Sequence, residues 1–209
     1  MEVWQALLAF SVAAGLLTLT PGLDTAIVLR TAAVEGARRA ALAALGVIGG
    51  CLVWGAAVAL GLGVLLQASA LAFNVIKWSG AAYLVWLGIG LILKPRDRFP
   101  LATPTGPVSG GDLAWMRRGL LTNLLNPKVG VFYISFLPQF LPQGVAPGPF
   151  IFALAALHAA MGLAWFALLI SATRPLAGLL QRAAVIRWLD RLTGGVFLTF
   201  GVRLALERR

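Results

Sequence analysis

The chain is dominated by apolar stretches that are long enough to cross a lipid bilayer. A membrane-spanning helix needs about 20 mostly apolar residues. Six candidates can be marked, at residues 4–29, 40–66, 70–93, 119–141, 150–170 and 192–206, of which the sixth is short and contains Arg203. Hydrophobic residues make up 60% of the 209 residues and charged residues only 11%, so a water-soluble domain could not bury this much apolar surface. We therefore predict an all-α integral membrane protein with six transmembrane helices.

The basic residues are concentrated in alternate loops. Lys and Arg occur in residues 30–39, 94–118 and 174–191, whereas the loops after the second and fourth spans contain none. The positive-inside rule predicts that the three basic loops are cytoplasmic and both termini external, although the basic C-terminal tail argues against its own external placement. The net charge of +10 thus indicates topology rather than nucleic-acid binding. No basic region precedes the first span, so we expect no cleaved signal peptide.

The two halves of the chain resemble each other. The segment KWSGAAYLVWLGIGL, from Lys77, matches RLTGGVFLTFGVRL, from Arg191, and LTLTPGLDTAIVL matches NLLNPKVGVFYI with Pro21 on Pro127. An odd number of spans per repeat inserts the second half upside down, as in inverted-repeat transporters. We predict a 3+3 inverted repeat, although chance similarity between apolar segments stays an alternative. The predicted units are a first repeat at residues 1–93, a cytoplasmic linker at 94–116 and a second repeat at 117–209.

Prolines interrupt two of the predicted spans. Thr20-Pro21-Gly22 breaks span one and Asn126-Pro127 breaks span four. A proline removes a helical hydrogen bond, and membrane proteins tolerate the exposed backbone only where it is buried in protein or lines a polar cavity. Because spans one and four run in opposite directions, the two breaks are predicted to face a common interior at similar depth. Each break also starts a half-helix, whose amides favour a carboxylate.

Polar side chains cluster around the breaks. Lys128 follows the second break directly, and Asp24 lies one turn beyond the first. Each would cost about 2.5–3.5 kcal/mol on a lipid-facing helix, so we expect both to face the interior. Thr122 and Asn123 lie four and three residues before Asn126, and the three are predicted to line one wall.

Three interpretations of the charged pair are open at this stage. In the first, Lys128 and the amides after Pro127 bind the carboxylate of an amino acid, and Asp24 binds its ammonium group. In the second, Asp24 and Lys128 form a structural ion pair between the halves. In the third, Lys128 extends to the cytoplasmic interface.

Four segments together resemble the LysE/RhtB family of bacterial amino-acid exporters along nearly the whole chain. They are LTLTPGLDTAIVLR, GVIGGCLVWGAAVALGLG, KWSGAAYLVWLGIGLIL and RRGLLTNLLNPKVGVFYISFLPQF. The resemblance implies a multi-pass exporter in the bacterial inner membrane that carries amino acids or their derivatives by proton exchange. It highlights the TPG and NPK elements. With the neighbouring polar residues, the predicted substrate site comprises Thr20, Pro21, Gly22, Asp24, Asn123, Asn126, Pro127 and Lys128.

Two positions depart from the family pattern. Cys51 stands where many members carry an acid, so we interpret it as a small packing residue. Asp24 stands where the family often has asparagine. We predict that Asp24 and His158 take part in proton coupling, with a hydrogen-bonded structural role for His158 as the alternative.

Other functions fit the sequence less well. With one Cys and one His, we predict no metal, no cofactor and no enzymatic activity. An inorganic cation exporter and a non-transport accessory membrane protein are the alternatives. The predicted partners are an amino-acid substrate and the lipid bilayer, without nucleic acid. Glycines in span two, at 46, 49 and 50, permit close packing within or between chains, so a homo-oligomer is left open.

Overall fold

A computed structural model describes residues 2–20, 22–68, 70–97, 111–172 and 182–206. We number its helices in chain order: α1 (Val3–Leu19), α2 (Leu23–Val34), α3 (Ala37–Ala68), α4 (Ala70–Leu93), α5 (Asp112–Leu124), α6 (Pro127–Phe136), a 3-10 turn (Leu137–Phe140), α7 (Pro147–Ser171) and α8 (Ala183–Leu206). These described segments contain no β-strand, and the predicted all-α class is confirmed.

The described helices include two to four candidate membrane spans. Ala37–Gly61 and Pro147–Ser171 are each long and apolar enough to cross a membrane. The pairs α1/α2 and α5/α6 also qualify if each is counted as one span, with bends of 50° and 56°. The stretches predicted as spans three and six are helical, and within the first of them Ala81–Leu93 is a shorter apolar helix. The six-span count and the 3+3 repeat stay predictions.

The helix ends near the two breaks follow from local chemistry. Helix α6 begins at Pro127, and a proline suits the first helical position because no N–H is needed there. Asn126 caps this helix, its side-chain oxygen accepting a hydrogen bond from the Lys128 amide at 3.1 Å. In the first half, the chain leaves α1 at Thr20 and re-enters a helix at Leu23. The predicted site residue Pro21 and most of the predicted linker lie outside the described residues.

Close helix packing depends on glycine. A Cβ atom added to Gly46 of α3 would lie 1.9 Å from the carbonyl oxygen of Met116, and one added to Gly119 of α5 would lie 1.9 Å from the carbonyl oxygen of Ala43. Only glycine allows these backbones to approach so closely. The predicted glycine face of α3 therefore contacts α5 of the same chain.

An aromatic cluster fills the bundle around the C-terminal end of α6. Phe136 packs on Phe200 with ring centroids 4.2 Å apart, and Phe10 packs edge-on against Phe140 at 5.4 Å. All but Phe200 are buried. This cluster closes the interior beyond the two helix breaks.

Candidate functional site

The ammonium group of Lys128 caps the end of helix α1. Its Nζ donates hydrogen bonds to the carbonyl oxygens of Thr20, at 3.2 Å, and Leu17, at 3.4 Å. A helical carbonyl normally accepts from the amide four residues on, and for Leu17 that residue is Pro21, which has no N–H. The positive charge also lies at the negative end of the α1 dipole. Lys128 thus compensates for the break in the other half of the chain.

The carboxylate of Asp24 is held in the reciprocal way. It accepts hydrogen bonds from the side-chain nitrogens of Asn123, at 2.7 Å, and Asn126, at 3.3 Å. Asp24 lies in the first turn of α2, where the helix dipole also favours a negative charge. Both carboxylate oxygens are therefore satisfied by amides from around the α5/α6 break.

The two charges are brought together without neutralising each other. Among the ion pairs that the described residues form, none joins Asp24 to Lys128. Neutral carbonyls and amides hold them instead. The structural ion-pair interpretation is therefore not what this conformation contains, and Lys128 turns to α1 rather than to the interface.

Asn123 owes its position to a glycine. It is fully buried, and a Cβ atom on Gly50 of α3 would lie 2.5 Å from its side-chain oxygen. The Asn123 amide also approaches the Cys51 sulfur, at 3.5 Å. Cys51 is buried and belongs to the core, as predicted for a packing residue, but it also lines the site.

Two details of the predicted wall are wrong. Thr122 lines a different groove, because α5 ends at Leu124 and Asn126 belongs to the cap of the next helix. The amides after Pro127 are not available to a ligand, because Asn126 accepts from all three. Its backbone oxygen accepts from Val129 and Gly130, at 3.1 Å each, and its side chain accepts from Lys128. The start of α2 is not capped in this way, because Gly22 at its N-cap position has no side chain.

Helix α8 contributes polar residues that the sequence did not assign to the site. The hydroxyl groups of Thr193 and Thr20 form a buried hydrogen bond. One turn earlier, the fully buried Asp190 accepts hydrogen bonds from the backbone amide of Arg96, at 3.0 Å, and from its Nε, at 2.9 Å. The available signal was an acid and a threonine three residues apart, on a helix that also carries Arg187, Arg191 and Arg203.

Two cavities meet at the crossing of the breaks, and both are lined by Thr20, Gly22, Asn126 and Lys128. The first, of about 50 Å³, also reaches Asp24, Cys51 and His158, and it has room for a few water molecules. The second, of about 300 Å³, has an apolar wall of Leu23, Leu87 and Leu91, with Arg96 at its edge.

The only histidine has a defined partner. Nδ1 of His158 and the hydroxyl of Tyr133 lie 2.9 Å apart, and both residues are buried. The pair agrees with the structural alternative, while the place of His158 on the Asp24 cavity agrees with the coupling interpretation. Within the described part of the chain, no three His, Cys, Asp or Glu residues group together as metal ligands would.

The described helices include candidate membrane spans, and two broken helices exchange polar contacts around internal cavities. These features define a membrane transport protein. The family described as LysE type translocator matches residues 16–208, and the chain belongs to this family of transporters. The absence of enzymatic activity and the multi-pass location in the bacterial inner membrane, both predicted from the sequence, are confirmed by this membership.

The chain is similar to several bacterial efflux proteins. It is 31% identical over 197 residues to the threonine efflux protein of Salmonella typhi, covering 91% of this chain and 92% of the relative. It is 32% identical over 203 residues to the leucine efflux protein of Klebsiella pneumoniae, covering 95% and 93%. It is 38% identical over 143 residues to the homoserine/homoserine lactone efflux protein of Salmonella typhi, covering 68% and 66%. No solved structure matches the chain.

Proposed function

We propose that this protein exports amino acids or amino-acid derivatives from the cytoplasm in exchange for protons. The observation that carries the proposal is the separate holding of Lys128 and Asp24, by neutral groups, at one crossing of broken helices. An amino-acid zwitterion presents one carboxylate and one ammonium group, and this arrangement offers a partner for each. The names of the threonine, leucine and homoserine relatives support the same substrate class.

Lys128 is the proposed carboxylate ligand. Its ammonium group has three N–H donors, and two of them bond to Thr20 and Leu17. The third is available to a ligand in the adjoining cavities. The uncapped start of α2 adds to the attraction, because a Cβ atom on Gly22 would lie only 3.7 Å from the Lys128 ammonium nitrogen.

Asp24 is the proposed ligand of the substrate ammonium group and the proton carrier. Its carboxylate lines the small cavity together with His158. A cation and a proton compete for one carboxylate, so protonation of Asp24 from the outside weakens its hold on the substrate. This competition couples release of the amino acid to inward movement of a proton, and His158 is placed to take part.

The second cavity is the proposed entrance. It has a cationic residue, Arg96, at its edge and three leucines along its wall. The leucines fit an aliphatic side chain, and Asp190 holds Arg96 in place at the edge. Since Arg96 lies in a predicted cytoplasmic loop, this cavity faces the side from which an exporter loads.

The proposed transport cycle uses a 3+3 inverted repeat. Helix α3 packs on α7, and α4 packs on α8, so corresponding helices of the two halves contact each other, which is compatible with a two-fold relation. The aromatic cluster lies on the opposite side of the site from Arg96. Rocking of one half against the other would open that cluster and close the entrance.

The test uses proteoliposomes loaded with labelled threonine, leucine or homoserine, under an imposed pH gradient. Efflux of at least one of these is expected, and an acidic exterior accelerates it. Leucinol, which lacks the carboxylate, and 4-methylpentanoate, which lacks the amine, serve as matched controls and should not be carried. Equal transport of either control, or efflux indifferent to the pH gradient, would contradict the respective part of the proposal.

A further inference from the structure

A separate groove of about 450 Å³ lies between helices α2 and α5. One part of its lining is apolar and the other is cationic. The apolar residues are Leu23, Ile27, Leu121 and Leu125, and the cationic residues are Arg30 and Arg118. Neither arginine belongs to the predicted substrate site.

The helix directions sort these residues into two ends. Helices α3 and α5 run the same way, since Gly46 contacts Met116 and, further along both helices, Gly50 contacts Asn123. Helix α2 runs against α3, to which a tight turn at Gly36 joins it. Helices α2 and α5 are therefore antiparallel.

Because α2 and α5 are antiparallel, their leucines lie together at one end of the groove and their arginines at the other. Leu23 lies across from Leu125, and Arg30 lies across from Arg118. Seven residues separate the two ends on each helix, which is about 10 Å along the axis. The groove thus has an apolar end and a cationic end, with the cationic end nearer the predicted cytoplasmic surface.

The cationic end has unused hydrogen-bond donors. The ion pairs between described residues use Arg38, Arg39, Arg96 and Arg187, and do not include the two groove arginines. The Arg118 guanidinium stacks over the ring of Trp115, 4.9 Å from its centroid. Trp115 is only 2% exposed, and its indole N–H has no partner among the described residues.

We propose that this groove binds an anionic phospholipid of the cytoplasmic leaflet. The phosphate lies between Arg30 and Arg118, whose guanidinium groups bind phosphate oxygens in pairs. Trp115 holds the Arg118 guanidinium at this end of the groove by stacking beneath it. The acyl chains extend toward the membrane centre along the apolar end. Basic pockets between helices at the cytoplasmic side are typical sites for such lipids.

Bound lipid would also contact the transport pathway. Leu23 lines both this groove and the second cavity, and it is the residue before Asp24 on α2. The lipid therefore holds α2 against α5 beside the entrance. Binding itself does not depend on what the protein transports, so it is tested without a transport assay.

The test is native mass spectrometry of the purified full-length protein in detergent, titrated with phosphatidylglycerol or phosphatidylcholine. Phosphatidylglycerol should bind more tightly to the wild type. Each arginine near an anionic membrane surface contributes about 1 kcal/mol, so the double variant Arg30→Gln/Arg118→Gln should bind it about thirtyfold more weakly. Arg117→Gln, an exposed neighbour that does not line the groove, removes one charge and should weaken binding far less than the double variant.

A second variant tests the acyl-chain end without changing charge. Leu121→Trp adds bulk at a half-exposed position in the groove and should weaken phosphatidylglycerol binding severalfold, even if the arginine variant does not fold. Inorganic phosphate at the same concentration should not displace the lipid. The proposal is overturned if Arg117→Gln is as harmful as the double variant, if Leu121→Trp leaves binding unchanged, or if phosphate alone competes fully.

Discussion

The Nδ2 atom of Asn123 lies 2.7 Å from the carboxylate of Asp24, although the two residues are 99 positions apart in the chain. Lys128 makes the return contact, from the second half to the α1 carbonyls of the first. Each half therefore supplies the polar partners that the break in the other half requires. Opening one break without the other would leave polar groups unsatisfied inside the membrane, which is costly. In the proposed transport cycle, this reciprocity would couple the two breaks.

Gly50→Ala should disable transport without preventing insertion. The added methyl group would meet Asn123 at 2.5 Å, so this side chain must move away from Asp24. Loss of a hydrogen bond to a charged group costs about 1.5–3 kcal/mol, which corresponds to at least tenfold slower efflux. Gly49→Ala is the matched control, because its methyl group would lie 3.8 Å from a flexible Leu120 side chain. Equal activity of the two variants at equal membrane abundance would show that Asn123 does not position Asp24.

Lys128→Met should raise the KM for carboxylate-bearing substrates at least tenfold. The variant removes the proposed carboxylate ligand and the two hydrogen bonds that cap α1. The lost cap lowers stability by about 1–3 kcal/mol, and methionine keeps most of the side-chain volume. Concentration-dependent efflux and the thermal unfolding midpoint in detergent are measured together. A lower midpoint with an unchanged KM would assign Lys128 to capping alone.

Local chemistry explains which parts of the site the sequence predicted. Proline and its flanking residues determine helix ends by themselves, so the boundaries near Thr20 and Asn126 were predictable. The cost of a charge in lipid placed Asp24 and Lys128 in the interior. The use of Asn126 as a helix cap was also readable, since asparagine immediately before a proline is a typical start of a helix.

The remaining site residues depend on how distant helices pack. Asn123 rather than Thr122 faces Asp24 because Gly50 on another helix leaves space for it. Asp190 and Thr193 reach the site only because α8 packs beside α4 and α1. Hydrophobic periodicity in one segment contains no information about these neighbours, so the sequence could not assign them.

Asp24→Asn should uncouple efflux from the proton gradient. Asparagine has nearly the same shape, so some binding of the substrate survives, but it cannot take up a proton. Efflux is then expected to be slower and no longer accelerated by an acidic exterior. The measurement compares efflux with and without an imposed pH gradient.

The double variant Asp24→Asn/Lys128→Met distinguishes a substrate site from a purely structural ion pair. A buried ion pair predicts that either single change reduces membrane abundance and that the double change restores it, because one unpaired buried charge is worse than none. A substrate site predicts no recovery of activity in the double variant, and no recovery of the stability that Lys128→Met loses with the α1 cap. Recovery of both properties would contradict the substrate-site proposal.

Asp190→Asn should weaken the contact between the chain that follows α4 and the N-terminal part of α8. The Asp190 carboxylate is fully buried and accepts from both the backbone and the side chain of Arg96. The variant replaces the charged acceptor of the Arg96 hydrogen bonds by a neutral amide, and we expect a loss of about 1.5–3 kcal/mol in stability. Asp97→Asn is the matched control, since the Asp97 side chain is 71% exposed in its ion pair with Arg187 and such surface pairs contribute less than about 1 kcal/mol. Thermal unfolding of both variants in the same detergent gives the comparison.

Because Arg96 borders the proposed entrance, Asp190→Asn should also change the KM for efflux, whereas Asp97→Asn should not. Equal behaviour of the two variants in both measurements would show that Asp190 and Arg96 do not shape the proposed entrance.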